Sequence, residues 1–274
     1  MTFRASAGWT QWQHFGVEVD DGVATVTLDR PDTLNALTLD VYADLRDLLA
    51  EIEHREDVSV VVITGKGKGF CSGGDVDEII GTLIARGDNR EVLEFTRMTG
   101  AVVQRLRELP KPVIAAVNGT AAGAGAVIAL AADFRLLADS ASFRFLFTKV
   151  GLAGADMGCA YLLPRLVGLG RATEILMLGE KVTAEHAERI GLANRVVADD
   201  TLAEEAAALA RRLADGPTFA YAATKALLTK ELDMSLPGAI ELEAWVQAML
   251  MRSADHAEFY RAFTEGRDPR WSGR

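Results

Sequence analysis

The sequence predicts an α/β core followed by an α-helical region. Three observations carry this. Two runs rich in β-branched and apolar residues, residues 58–64 and Val113–Val117, read as buried strands, and each leads into a glycine-rich loop and then a helical pattern. Beyond Gly154 nearly every segment has helical rather than strand periodicity. The chain has 274 residues and 49% of them are hydrophobic, enough for one large core.

Each element has its own signal. Residues 17–19 and Val23–Leu28 alternate at period two around Asp20-Asp21-Gly22, which predicts a hairpin. Arg30-Pro31-Asp32 breaks the sheet. Thr38 is placed to cap a helix over Leu39–Glu53, whose Val41, Leu45, Leu48, Leu49 and Ile52 share one stripe. After the strand at 58–64 and the first glycine loop, residues 77–85 read as a short helix, with a polar break at Gly87-Asp88-Asn89. A longer helix over 91–108 is ended by Pro110 and Pro112. The strand Val113–Val117 and the second glycine loop precede a helix over 124–132, so rich in small apolar residues that it must be wholly buried. Short strands are expected at 134–137 and 142–145, then helices near 157–166, 172–178, 184–190 and 202–215. Gly216-Pro217 marks a boundary, and the rest reads as helices with a polar tail. The expected divisions are an N-terminal extension (1–14), an α/β core (15–200) and a helical C-terminal region (201–274). No low-complexity segment or close repeat is visible.

Bulk properties exclude several classes. A net charge of −10 lacks the basic footprint of a nucleic-acid binder. Two cysteines, Cys71 and Cys159, make no disulfide framework and suit a reducing compartment. His14, His54, His186 and His256 are scattered, and no cysteine or histidine pair has metal-ligand spacing, so no metal is expected. Residues 1–13 carry one arginine and two tryptophans without an apolar segment and do not read as a signal peptide. The longest apolar stretch, 121–132, is too short to span a bilayer. The expectation is a cytoplasmic protein without a membrane partner.

The chemistry-bearing features are the two loops, Gly69-Phe70-Cys71-Ser72-Gly73-Gly74-Asp75 and Asn118-Gly119-Thr120-Ala121-Ala122-Gly123-Ala124-Gly125. Each can present a free backbone N–H, and two amides aimed at one point form an oxyanion hole. Taken alone, either loop is also explained as a tight turn chosen for packing.

With both loops in place the chain resembles the enoyl-CoA hydratase/isomerase (crotonase) superfamily. The resemblance is carried by Leu28-Asp29-Arg30-Pro31-Asp32-Thr33-Leu34-Asn35-Ala36-Leu37, by Phe70-Cys71-Ser72-Gly73-Gly74-Asp75, by Lys111-Pro112-Val113-Ile114-Ala115-Ala116-Val117-Asn118-Gly119, and by residues 184–197. It covers about residues 15–270. It implies a crotonase-like spiral of ββα turns, a helical trimerisation region, a homotrimer or dimer of trimers, and an acyl-CoA thioester bound in a bent form. CoA would be part of the substrate, so no separate cofactor is implied. By position, Gly74 and Ala124 resemble the two oxyanion donors, and Ala124 stands where many relatives have glycine. Thr33, Leu34 and Ala36 resemble residues along the adenine and pantetheine path. Ser72, Asp75 and Val76 flank the first donor as substrate-binding positions, and Phe263 resembles an aromatic that reaches a neighbouring subunit's CoA.

The pattern breaks at the acids. Hydratases of this family use two glutamates, and in register those positions hold Val127 and Phe147, neither of which can move a proton. Asp156 stands out instead, within Gly151-Leu152-Ala153-Gly154-Ala155-Asp156-Met157-Gly158. Dienoyl-CoA isomerases use an aspartate here as a proton-shuttling acid and aryl-CoA dehalogenases use one as a nucleophile, in both cases nine residues before a basic residue, as Asp156 precedes Arg165. The plain alternative is an N-cap for a helix starting at Met157. The dehalogenase reading needs a histidine on the helix before Pro110, where the sequence has Arg97, Met98, Thr99 and Gly100. Cys71 and Cys159 read as packing residues, since no histidine is available to pair with them. Asp75 can cap the following helix, and Phe95, Phe143, Phe145 and Phe147 suit either an acyl pocket or the core. The resulting expectation is an acyl-CoA enzyme that stabilises a thioester enolate, with Asp156 as acid/base. One acid suits isomerisation better than hydration. The alternatives are a hydrolase of the same fold, cleaving a C–C or thioester bond, and a non-catalytic acyl-CoA-binding protein.

Overall fold

The computed structural model describes residues 12–86 and 88–273. The expected N-terminal extension lies outside them up to residue 11, as does Gly87 of the expected polar break.

The chain opens with the hairpin β1 (Phe15–Asp20) and β2 (Val23–Leu28). Its two-residue turn places Asp21 and Gly22 at φ 44° and 81°, the left-handed pair that matches strand twist. Helix α1 (Leu39–Glu53) begins where the sequence places it: the Thr38 hydroxyl accepts from the Val41 N–H, and the expected apolar stripe is buried.

Three strand–strand units follow. The first is β3 (Val60–Gly65), β4 (Gly69–Cys71), a π-helical stretch (Val76–Gly81), α2 (Thr82–Arg86) and α3 (Asn89–Glu108). The second is β5 (Val113–Val117), β6 (Thr120–Ala122) and α4 (Ala124–Ala131). The third is β7 (Phe134–Ala138), β8 (Ser142–Arg144), a 3₁₀ turn (Phe147–Val150), α5 (Cys159–Val167) and α6 (Leu169–Leu178). Then come β9 (Val182–Thr183), α7 (Ala184–Arg189) and β10 (Arg195–Val197), and last α8 (Leu202–Ala214), α9 (Thr218–Glu231), α10 (Leu236–Leu250) and α11 (Ala254–Glu265).

Each unit gives its first strand to a six-stranded sheet, ordered β1-β2-β3-β5-β7-β10, and its second to a four-stranded sheet, ordered β4-β6-β8-β9. The large sheet is parallel from β2 onward, and β4, β6 and β8 are parallel to one another. Every unit therefore advances one strand in both sheets, which is the expected spiral. Helix α8 packs on the large sheet against β2, β3, β5 and β7, and α3 packs on both α1 and α4. All eight residues of α4 are buried, whereas α10 buries none.

Two sequence expectations are corrected. The helix expected over 77–85 is a π-helical stretch followed by a short α-helix. The helix expected to start at Met157 starts at Cys159, with Gly158 as its N-cap. Met157 and Gly158 have φ 50° and 87°, a left-handed pair that no α-helix accommodates.

Candidate active site

The two glycine loops meet. A Cβ on Gly73 would lie 3.5 Å from the backbone nitrogen of Ala124 and 3.0 Å from the Ala122 carbonyl, and Gly73 has φ 99°. Only glycine satisfies both the space and the dihedral. At the second residue of α4, a Cβ on Gly125 would come within 2.4 Å of the Cys71 carbonyl, so the start of α4 lies flush against β4.

Local pairing determines which groups are left free. Leu37 forms an isolated parallel bridge with Gly74. In it the Leu37 N–H donates to Gly73 (2.8 Å) and the Asp75 N–H donates to Leu37 (2.9 Å). That alternation turns the N–H of Gly74 away from its partner strand. Ala124 is the first residue of α4, where an amide has no intrahelical acceptor. Among the described residues neither N–H donates a hydrogen bond. Both amides thus belong to segments that touch, and both are unspent.

The first loop is fixed by polar side chains. Asp75 caps the π-helical stretch by accepting from the Glu78 N–H (3.2 Å), while its other oxygen takes two 3.2 Å bonds from Arg30. Arg30 also donates to the Ala36 carbonyl at 2.7 Å. Asn35, buried and at φ 59°, donates to the carbonyls of Gly69 and Lys66, and Asn118 donates to those of Gly67 and Gly69. Ser72 bonds the carbonyl of Thr33 through its hydroxyl and that of Leu34 through its N–H. Thr33, Leu34, Ser72 and Asp75 are therefore joined around the first amide. Leu34 and Val76 are exposed beside it, whereas Ala36 is buried. Phe263 is elsewhere, exposed on α11 beside Phe259.

Asp156 lies in the loop between the 3₁₀ turn and α5. Its carboxylate accepts from the Met157 N–H (2.8 Å) and does not cap α5. Burial raises its pKa above the ordinary carboxylate value, and the Met157 bond opposes that only partly. Arg165 serves other partners: it stacks on Tyr161 and pairs with Asp233. Cys159 closes the Asp156 loop, its thiol between the Gly154 carbonyl and the Asp156 N–H. Burial raises both thiols, Cys71 to about 12, which suits packing rather than nucleophilic attack.

Val127 is fully buried one turn into α4, and Phe147 is buried at the start of the 3₁₀ turn. Phe143 and Phe145 are fully buried and stack on one another, which places them in the core. Phe95 instead meets the ring of Tyr42 edge-on. The Tyr42 hydroxyl lies 3.6 Å from where a Cβ on Gly74 would be. Sequence reasoning gave no role to Tyr42, because a tyrosine on the buried stripe of an amphipathic helix reads as packing. It also gave none to Arg30, Asn35 and Asn118 singly, although all three fall within the recognised motifs.

Among the described residues no group of three or more His, Cys, Asp or Glu could hold a metal ion, and no helix is long and apolar enough to cross a membrane.

Residues 18–274 match the family described as enoyl-CoA hydratase/isomerase. The 1,2-epoxyphenylacetyl-CoA isomerase of Escherichia coli K12 is 38% identical over 257 residues, covering 93% of this chain and 97% of its own. A Rhodobacter capsulatus protein, named provisionally as an enoyl-CoA hydratase, is 41% identical over 94% of this chain and 97% of its own. A crystal structure from Streptomyces coelicolor A3(2), likewise named provisionally as an enoyl-CoA hydratase, superposes with a TM-score of 0.95 at 60% identity and covers 100% of both chains. The chain belongs to the enoyl-CoA hydratase/isomerase family.

Proposed function

We propose that this chain is an acyl-CoA isomerase of that family, with the thioester oxygen held between the N–H groups of Gly74 and Ala124 and with Asp156 moving the proton. The observation that carries the reading is the meeting of the two glycine loops with both amides unspent. Removing an α-proton from a thioester puts charge on the carbonyl oxygen, where two fixed donors stabilise it. The Ala124 donor opens a buried helix, so the helix dipole adds to that stabilisation. Asp156, with a pKa raised by burial, is suited to accept and return a proton.

Isomerisation is favoured over hydration because the two glutamate positions hold Val127 and Phe147, leaving one acid for one proton. The name of the Escherichia coli relative points the same way. CoA enters as part of the substrate, along Thr33, Leu34 and Ala36, past Ser72, Asp75 and Val76. The assembly is a homotrimer or a dimer of trimers. Leu236, Ile240 and Trp245 on α10 and Phe259, Tyr260 and Phe263 on α11 are exposed, an apolar surface that a neighbouring subunit would cover. Phe263 would reach that subunit's CoA.

The test is turnover of 2-enoyl-, 3-enoyl- and dienoyl-CoA esters by the wild type and Asp156→Asn. The expected result is shift of a double bond without water addition, with kcat reduced about 10²- to 10⁴-fold in the variant and binding retained. Wild-type rates in the variant would remove Asp156 from the mechanism. Release of free CoA would indicate a hydrolase, and binding without turnover a non-catalytic protein.

A further inference from the structure

The C-terminal end of α4, roughly 10 Å along the helix from the Ala124 amide, opens onto a second cleft. It lies between the ends of α3 and α4, helix α5 and helix α9. Its volume is about 450 Å³, within the range of small-ligand sites. Leu130, Leu162, Leu166 and Leu228 give it apolar walls, and none of the residues placed around Gly74, Ala124 or Asp156 lines it.

The floor of this cleft is cationic. Arg107, Arg135 and Lys225 line it, and among the lining residues the one carboxylate is Asp133. Asp133 pairs with Arg107 at 3.2 Å and with Lys225 at 2.7 Å. Arg135 is 4% exposed, and its bonds go to the carbonyls of Leu192, Leu130 and Ala132 rather than to a carboxylate. The last two carbonyls belong to the end of α4, where the helix dipole supplies about half a negative charge. Asp133 and the helix end together leave the three cations in excess by more than about one charge. Arg165, at the rim, is already paired with Asp233 at 3.2 Å. Burial lowers the Arg135 guanidinium to about 10 and lowers the Lys225 ammonium as well, as expected where the fold does not fully compensate a buried positive charge.

The two halves of the cleft ask for different things. A small inorganic anion would answer the charge and leave the leucines wet. A neutral hydrocarbon would cover the leucines and leave the charge. A hydrocarbon chain ending in a carboxylate answers both, since a carboxylate takes guanidinium and ammonium bonds in strong, charge-assisted form. We propose that this cleft is a binding site for a medium-chain fatty carboxylate, with its headgroup at the Arg107, Arg135 and Lys225 cluster and its chain along Leu162, Leu166 and Leu228. The site is separate from the one proposed for the thioester and does not depend on it.

The experiment titrates the full chain with decanoate and with decanol, each below its aggregation limit, by calorimetry, and repeats both on Leu228→Trp and Arg107→Gln. Leu228 is 63% exposed, so a larger ring there fills the cleft without entering the core. The wild type is expected to bind a single decanoate about tenfold more tightly than decanol, the worth of a charge-assisted bond. Leu228→Trp should weaken both ligands roughly tenfold or more while the melting temperature and acyl-CoA turnover hold. Arg107→Gln should bring decanoate down to the level of decanol and leave decanol unchanged; if Leu228→Trp does not fold, this variant decides. No decanoate binding by the wild type overturns the inference, and would be the result if a neighbouring subunit filled the cleft. Equal affinities for the two ligands overturn it by leaving an apolar surface only. Decanoate affinity unchanged in either folded variant overturns it by placing the chain elsewhere, the acyl site included. None of these outcomes bears on the reaction proposed for Gly74, Ala124 and Asp156.

Discussion

The amides of Gly74 and Ala124 lie on touching segments but are held in place by opposite means. Gly74 follows the fully buried Phe70 and Cys71, and the turn that presents its amide is stitched by Arg30–Asp75, Asn35, Asn118 and the backbone bridge from Leu37. Ala124 starts a helix in which all eight residues are buried and no side chain caps the N-terminus. The first is a polar network, in which each bond contributes modestly and the others hold when one is removed. The second is close packing, rigid because protein interiors do not yield to an added methyl group. The lesson is that one loop should tolerate substitution by degrees, while the other should fail abruptly.

The sharpest way to break this contrast acts on Ala124 itself. Proline is tolerated at the first position of a helix, where its missing N–H has no intrahelical partner. Ala124→Pro therefore removes the donor while α4 keeps its hydrogen bonds. If the amide stabilises an oxyanion, kcat should fall about 10²- to 10³-fold with little change in helical circular dichroism. An unchanged kcat would leave Ala124 a packing residue.

Gly125→Ala tests the packing directly. The added Cβ would lie 2.4 Å from the Cys71 carbonyl and 2.6 Å from the Cys71 Cβ, so backbone must move. The expected cost is about 3 kcal/mol in urea unfolding, with turnover lost in step. On the polar side, Arg30→Ala removes the two bonds to Asp75 and the one to Ala36. The pair is partly exposed, so the expected loss is about 1 kcal/mol, together with a roughly tenfold fall in kcat/KM as Gly74 loosens. Similar responses to the two substitutions would show that the contrast between packing and network does not describe these loops.

The same contrast explains what could be read from the sequence. The helix Leu39–Glu53, the strand Val113–Val117 and the buried helix at 124 follow from cap, composition and periodicity, and their boundaries in the fold agree within a residue. The strands β4 and β6 were hidden because three-residue strands inside glycine loops carry no period; only pairing across the small sheet defines them. The start of α5 was misread because Asp156 resembles a cap, and nothing in the letters reveals that Met157 is left-handed. The roles expected of Gly74, Ala124 and Asp156 were implied by the resemblance to the family. Tyr42 carries no signal of its own in the sequence, because hydrophobic periodicity assigns it to the core and cannot show that its hydroxyl ends beside Gly74.

Asp156 belongs to neither scheme, and its stability effect should be the smallest. Its pKa is raised in the folded state, so the fold binds this proton more tightly than the unfolded chain does. The stability it adds is fully present below the ordinary carboxylate pKa and is lost as pH rises through the raised value. At neutral pH the ionised carboxylate is thus a net burden that the Met157 N–H only partly offsets. Asp156→Asn removes the charge with nearly the same shape. Its melting temperature should match the wild type at acid pH and exceed it at neutral pH, with the gap opening as pH rises. Joined to a large loss of turnover, that gain would mark a group retained for chemistry at the expense of stability. A gap that closes with rising pH would mean that the ionised form is the one the fold prefers, and Asp156 would then be structural.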